Sequence, residues 1–358
     1  MYVEYDIIYM KLMCQNIDMN DRGKAMATID DIVKVSGVSR STVFRFLNGS
    51  NVRADAKKAI IQAMEQVNYK TDAVYKQQNI VIEISISNDF ESFKGFAQMV
   101  QGITQQADEK GIKVHIVRRT GQQITSDYSH WNPEQNLKGV IVIGKNAEDE
   151  QKEAEMLIAH GIPHIFLNRV MDNPFTSYVA VDLKKAAYDV VSHLINKGHK
   201  DIAICGNPHE FRVDKEKLEG YKKALLENDI KVPGQYYYEL KDTKNWDDVL
   251  ESLLTREDKP TAFFGICDSH AMRFIYKAHA AGYRVPEDIA VVGMDDVETS
   301  EYFKPALTTV HVPFKKMGMI AVESLLQLIT DEDVSCIKTI INHKLIIRES
   351  CNKLIEKP

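Results

Sequence analysis

The sequence predicts an α/β protein in which a small all-α head precedes a body of two α/β lobes. Three observations carry this. Residues 27–69 hold apolar residues at helical spacing in three short runs. From residue 80 the pattern changes to short apolar strands alternating with amphipathic helices, the signature of parallel sheets covered on both faces. Finally, the strands are too numerous for one convenient sheet, and a chain of 358 residues exceeds a single core.

In chain order, residues 1–26 have no clear period and include Met10, Met13, Met19 and Met26, so they read as a disordered arm or a mis-started extension. In the head (27–69), Thr28 and Asp31 make a T-x-x-D cap before the apolar face of Ile29, Ile32 and Val33. Ser36-Gly37-Val38 breaks that helix, and Ser39 caps a second that runs to Asn48-Gly49. A third begins near Asp55, with Ala56, Ala59, Ile60, Ala63, Met64 and Val67 on one face. Residues 70–79, KTDAVYKQQN, form a polar linker.

The body (80–356) begins with the strand IVIEISIS and a helix through 94–110. KVHIV, GVIVIG, HIFLN, YVAVD, DIAIC, TAFFGIC, IAVVGMDD and TTVHV follow as strands, with helices such as EDEQKEAEMLIAHG and KKAAYDVVSHLINKGH between them. IINHKLIIRE closes the series. The expected N-lobe covers about 80–176 plus 310–337, and the C-lobe about 177–309 plus 338–356.

The net charge of −6 conceals an asymmetry. Residues 27–78 carry +3 and residues 79–358 carry −8, which suits a head that meets polyanions. No apolar run approaches a membrane span, and the N-terminus carries Glu4 and Asp6 where a secretory signal would carry Lys or Arg. The five scattered cysteines form no CxxC pair and fit free thiols in a reducing cytoplasm. No cofactor and no metal site are expected. The chain has no G-x-G-x-x-G, P-loop or G-x-S-x-G, so an enzyme is not expected either.

On a helical wheel with Arg40 at zero, Thr42, Phe46, Val43 and Leu47 fill the arc from about 200° to 340°. Arg40, Phe44, Asn48, Ser41 and Arg45 fill the opposite arc. Two Arg, a Ser and an Asn on one face are what a recognition helix offers the major groove, where Arg bonds guanine O6/N7 bidentately. A solvated polar face is the plainer explanation of such a helix alone. The preceding helix and the glycine turn favour a helix-turn-helix.

The run ATIDDIVKVSGVSRSTVFRFLNGSNVRADAKKAIIQAMEQVNY resembles the DNA-binding head of the lactose-repressor (LacI/GalR) family of bacterial transcriptional regulators. GIPHIFLNRV…YVAVDLKKAAYDVVSHLINKGHKDIAICGN resembles that family's lobe crossover, and KPTAFFGICDSHAMRFIYKAHAAGYRVPEDIAVVGMDDVETSEYFKPALTTVHVPFKKMG its C-terminal signature. The resemblance covers about residues 27–350. It implies a cytoplasmic homodimer, with no membrane partner, whose two heads read an inverted repeat in double-stranded operator DNA. Arg40, Ser41 and Arg45 would sit at the specificity positions. Thr28, Ser39, Thr42, Asn48 and Arg53 would position phosphates.

Two departures stand out. Phe44 replaces a small Ser; it either packs on a thymine methyl or folds against the loop at 49–53. The linker has Thr71, Asp72 and Gln78 where the family has Pro-Asn and a Leu that wedges between base steps; Tyr75, one turn back, is the available substitute.

For the body the resemblance implies the two-lobed fold of periplasmic sugar-binding proteins, closing on a small effector, a sugar or sugar phosphate. Asp295 of GMDD falls where effector hydroxyls donate, and Lys217 falls where the family usually has an Arg, losing a bidentate fork. Cys267 and Asp268 follow a strand, Ser87, Asn88, Phe90 and Phe93 follow the first strand, and Trp246 is a candidate stacking wall. Core or loop roles remain open for the uncharged residues among these. Alternatives are a regulator answering to a protein co-regulator and a free solute-binding protein. The C-terminal RESCNKLIEKP lacks the leucine repeat of the family's tetramers, so a dimer is expected.

Overall fold

Thr28 starts the first helix, α1 (Ile29–Ser36), because its backbone N–H and hydroxyl both donate to the Asp31 carboxylate at 2.8 Å. The backbone bond, followed by the hydroxyl bond, holds that carboxylate below its usual pKa range. Gly37 ends the helix at φ +65°, a left-handed position that glycine occupies without a Cβ clash, and its N–H returns to Val33 O at 3.1 Å. The chain is thereby turned into α2 (Arg40–Leu47), with α3 (Ala54–Gln66) following. Ile32, Val43, Ile60, Ala63 and Met64 form the head's core, with Phe46 and Leu47 packed against it.

The computed structural model describes residues 27–47, 52–69, 80–87, 95–131, 137–232, 234–239, 246–331 and 333–352. It separates into two compact units, Met1–Ile80 and Val81–Pro358.

The second unit holds two parallel sheets. The first contains β1 (Val81–Ile86), β2 (Lys113–Arg118), β3 (Leu137–Ile143), β4 (His164–Leu167), β5 (Tyr178–Val181) and β11 (Lys338–Ile341), in the order β11-β5-β4-β3-β1-β2. The second runs β7-β6-β8-β9, from Tyr237–Glu239, Ile202–Gly206, Ala262–Gly265 and Ala290–Val292. An antiparallel pair, β10 (Thr309–His311) with β12 (Lys344–Ile346), joins β9 through a bridge between Val292 and Thr308. The central strands β3, β4 and β5 are buried almost throughout, as strands covered on both faces must be; β2, at the sheet edge, is not.

The helices of the first sheet are α4 (Phe96–Glu109), α5 (Gln122–Ser129), α6 (Ala147–Ala159) and α12 (Phe314–Thr330). Those of the second are α7 (Leu183–Asn196), α8 (Arg212–Glu227), α9 (Trp246–Thr255) and α10 (Asp268–Ala280), with a short α11 (Thr299–Tyr302). The α4–α12 contact is backbone-close. A Cβ on Gly102 would strike the Lys315 carbonyl, and one on Gly318 would strike that of Met99.

The lobe boundaries differ from the sequence expectation. Tyr178–Val181 and Lys338–Ile341 belong to the first sheet, whereas Thr309–His311 belongs with the second. IINHKLIIRE looks like one strand because it is one apolar run. Asn342 and His343 split it, and its halves pair in different lobes. Helices α5 and α9 and strand β7 also escape the periodic reading. In α5 only Ile124 and Tyr128 face inward.

Candidate DNA interface and effector cleft

On the head, Ser39 caps α2: its Oγ accepts the Thr42 N–H at 3.3 Å and lies 2.8 Å from Thr42 Oγ1. The outward face carries Arg40, Ser41, Phe44 and Arg45, all exposed, while Val43 is buried. Arg40 is engaged within the head, its Nη1 2.5 Å from Asp30 Oδ1 with both side chains largely in solvent. Phe44 is 38% exposed and lies on the face that bears Arg40 and Arg45; most of the loop at 49–53 that would cover it lies outside the described residues. Thr28 and Arg53 are exposed beside α1 and α3. Asn48 and Tyr75 lie outside the described residues.

In the body, the segments after β3 and β4 of the first sheet touch the segment after β6 of the second, through Ala147 N–H to Glu210 O and through Arg212 to Glu150 and Asp172, at the strand ends where open α/β sheets take ligands. In the second lobe, Lys217, on α8, is buried and its Nζ donates to Ile266 O at 2.6 Å. Asp295 follows β9 at φ +123°, a conformation costly for a non-glycine residue, and Asp296 follows at φ +56°. Burial raises the Asp295 carboxyl well above the usual range, against the pull of Lys217. Cys267 Sγ lies 3.1 Å from Ser269 Oγ.

Two expected effector contacts are corrected. Asp268 is fully buried and turned to its own loop. Its oxygens accept from Val297 N–H at 2.9 Å, from the Ser300 hydroxyl at 2.7 Å and from the Thr309 hydroxyl, so it fixes the 293–300 turn. Trp246 is only 3% exposed, and His270 stacks on it with ring centroids 3.8 Å apart. In the first lobe Ser87 is buried at the end of β1; Asn88, Phe90 and Phe93 lie outside the described residues.

Sequence reading misses a set of buried charges beside this cleft. Lys145, directly after β3, pairs with Glu153 at 2.9 Å and donates to the carbonyls of Ile86 and Arg119, tying together the ends of β1, β2 and β3. Burial pulls its ammonium below the usual range. Glu150 of α6 accepts from Arg169 Nε at 2.7 Å and, across the lobes, from Arg212 Nε at 2.9 Å. Arg212 also reaches Asp172 at 2.9 Å, and Ala147 N–H donates to Glu210 O at 2.8 Å. One turn beyond Arg212, burial lifts Glu216 to about 7 even though Arg169 and Arg212 pull it down. The available signal was the isolated Lys or Arg directly after an apolar strand, in VIVIGK and HIFLNR.

A helix-turn-helix head and a two-lobed parallel-sheet body define a DNA-binding regulator with a ligand-sensing domain. The profile for bacterial regulatory proteins of the lacI family matches residues 28–72, and that for the periplasmic binding protein-like domain matches residues 191–351. The chain is 29% identical to the HTH-type transcriptional repressor PurR of Aliivibrio salmonicida, over 92% of this chain and 100% of that protein. It is also 29% identical to the probable HTH-type transcriptional repressor ExuR of Bacillus subtilis, over 92% and 99%. Among solved structures, the transcriptional regulator CelR–cellobiose complex superposes with a TM-score of 0.68 at 26% identity, covering 90% of this chain and 99% of that one. The lac repressor dimer bound to operator and the anti-inducer ONPF superposes at 0.64 with 25% identity, covering 91% and 99%. The head thus carries the DNA-binding domain of lacI-family regulatory proteins and the body a periplasmic binding protein-like domain; the chain is a DNA-binding transcriptional regulator controlled by a small-molecule effector.

Proposed function

We propose that this protein represses a carbohydrate-related operon as a cytoplasmic homodimer. Each α2 enters the major groove of an inverted-repeat operator, and a sugar-like effector in the interlobe cleft sets DNA affinity. Arg40, Ser41, Phe44 and Arg45 read bases; Thr28, Ser39, Thr42 and Arg53 hold phosphates, with Asn48 and Tyr75 extending that contact. Lys217 and Asp295 grip the effector from the second lobe, with Cys267 beside them and Ser87, Asn88, Phe90 and Phe93 on the first.

The observation that carries this reading is the buried Asp295, held in a left-handed conformation where β9 ends and within electrostatic reach of Lys217. A buried carboxyl there can exchange hydrogen bonds with ligand hydroxyls, and the relative solved with cellobiose supports a carbohydrate. Control follows by linkage: a ligand that prefers one lobe arrangement shifts the dimer between DNA-competent and released forms. The body serves as a sensor and carries out no turnover.

Two measurements test this. Gel-shift binding to DNA upstream of the protein's own gene should be saturable and should weaken steeply with salt; no binding at low salt would refute the repressor reading. A thermal-shift screen of sugars should find a stabilising ligand whose effect Asp295→Asn abolishes. Measurable chemical turnover of that ligand would refute the sensor reading.

A further inference from the structure

Arg212 opens α8 in the second lobe and bonds two acids of the first. Its Nε donates to Glu150 at 2.9 Å and its Nη1 to Asp172 at 2.9 Å. Glu150 is buried and shared: Arg169, which follows β4, donates from its Nε to the other carboxylate oxygen at 2.7 Å. These bonds hold one lobe to the other only while the Arg212 guanidinium stays on the first-lobe acids.

Glu216 stands four residues after Arg212 on the same helix, the spacing at which helical side chains become neighbours. Among the described residues its carboxyl makes no hydrogen bond or ion pair of its own. The charges that face it come from every element around it: Arg169 from the end of β4, Arg212 from α8, Glu150 from α6 and Asp182 from the start of α7. Burial, opposed by the two guanidiniums and reinforced by Glu150 and Asp182, lifts the carboxyl to about 7. As a neutral acid, Glu216 leaves both guanidiniums to Glu150. As a carboxylate it puts a second negative charge beside Glu150 and competes for Arg212. An ionised carboxylate in this setting is relieved by a bond to Arg212 or by water, and either outcome weakens the bonds between the lobes.

We propose that Arg212 is a proton-controlled clasp: it bridges the lobes through Glu150 and Asp172 while Glu216 holds its proton, and it is drawn back along its own helix when Glu216 gives that proton to solvent, so that the lobes part more readily above neutral pH than below it. Linkage fixes the sign. In the arrangement seen here the proton is held up to about 7, whereas parted lobes return the carboxyl to water and towards its ordinary range. Parting therefore releases a proton, and between those two values each pH unit shifts the balance towards parted lobes by up to about tenfold. The clasp acts on the lobes without ligand and does not depend on the identity of the effector.

Small-angle scattering of the full-length, unliganded protein at about pH 6 and about pH 8 tests this. The radius of gyration should be larger at the higher pH, at unchanged mass. Glu216→Gln, which imitates the protonated acid, should stay compact at both. Arg212→Gln should be enlarged at both and show no response to pH. One radius at both pH values in the parent, beside an enlarged Arg212→Gln, would overturn the proton control. A pH response that survives in Glu216→Gln would overturn it as well, because the proton would then belong to another group. Arg212→Gln as compact as the parent at the lower pH would overturn the clasp itself. If circular dichroism shows that Arg212→Gln fails to fold, the comparison of the parent with Glu216→Gln still decides the proposal.

Discussion

Arg40 bears on DNA affinity before any DNA is present. Its guanidinium rests on Asp30, an exposed pair that contributes at most about 1 kcal/mol. To bond a base it must leave that carboxylate. Asp30→Asn should tighten operator binding by up to about fivefold, as measured by gel shift at fixed salt, because it frees Arg40 and removes a negative charge facing phosphate. Arg40→Ala should cost about 1–3 kcal/mol on the preferred operator and much less on mismatched DNA. Glu216 gives a pH dependence whose sign is fixed. Its carboxyl is raised to about 7 in the folded protein, above its unfolded value, so between those values the folded state holds the extra proton. Stability should therefore fall as pH rises through that window. Thermal unfolding of Glu216→Gln should show a smaller decline from about pH 5 to pH 8 than the parent does.

At the scale of elements, α4 and α12 meet through glycines. Gly102→Ala would drive a methyl into the Lys315 carbonyl, and overpacking of this kind costs about 1–3 kcal/mol. The midpoint of chemical denaturation should fall accordingly, while α2 and its DNA contacts, in the other unit, stay intact. The legibility of the sequence also divides by element. The head could be read because local rules fix it: a Thr28/Asp31 cap, a Gly37 turn and a three-residue apolar step. Strands β3 to β5 could be read because burial on both faces makes them continuously apolar. Helix α5 was missed because only Ile124 and Tyr128 face inward, too few for a periodic signal. The family resemblance assigns Trp246 and Asp268 to the ligand by their places in the chain. Only three-dimensional neighbours, His270 over one and Ser300 and Thr309 around the other, show that they are held by the protein.

For the body as a whole, the ion pairs beside the cleft decide how firmly one lobe holds the other. Glu150 is 1% exposed and bonds a guanidinium from each lobe, so its loss strands the buried Arg169 charge and leaves the half-buried Arg212 with Asp172 alone. Removing one partner of a buried pair costs about 3–5 kcal/mol. Glu150→Gln should lower the melting temperature and, in small-angle scattering, enlarge the unliganded protein. If Arg212→Ala adds nothing further on top of Glu150→Gln, the two act through the same bond.

The order of the strands sets a timetable for synthesis. The last stretch of described chain supplies β11 to one sheet and β12 as the partner of β10, and Ser350 then bonds Thr308 N–H and Val291 O. A ribosome therefore releases the head long before either lobe is complete, and a prematurely stopped chain would carry a finished DNA reader on a body with two open edges.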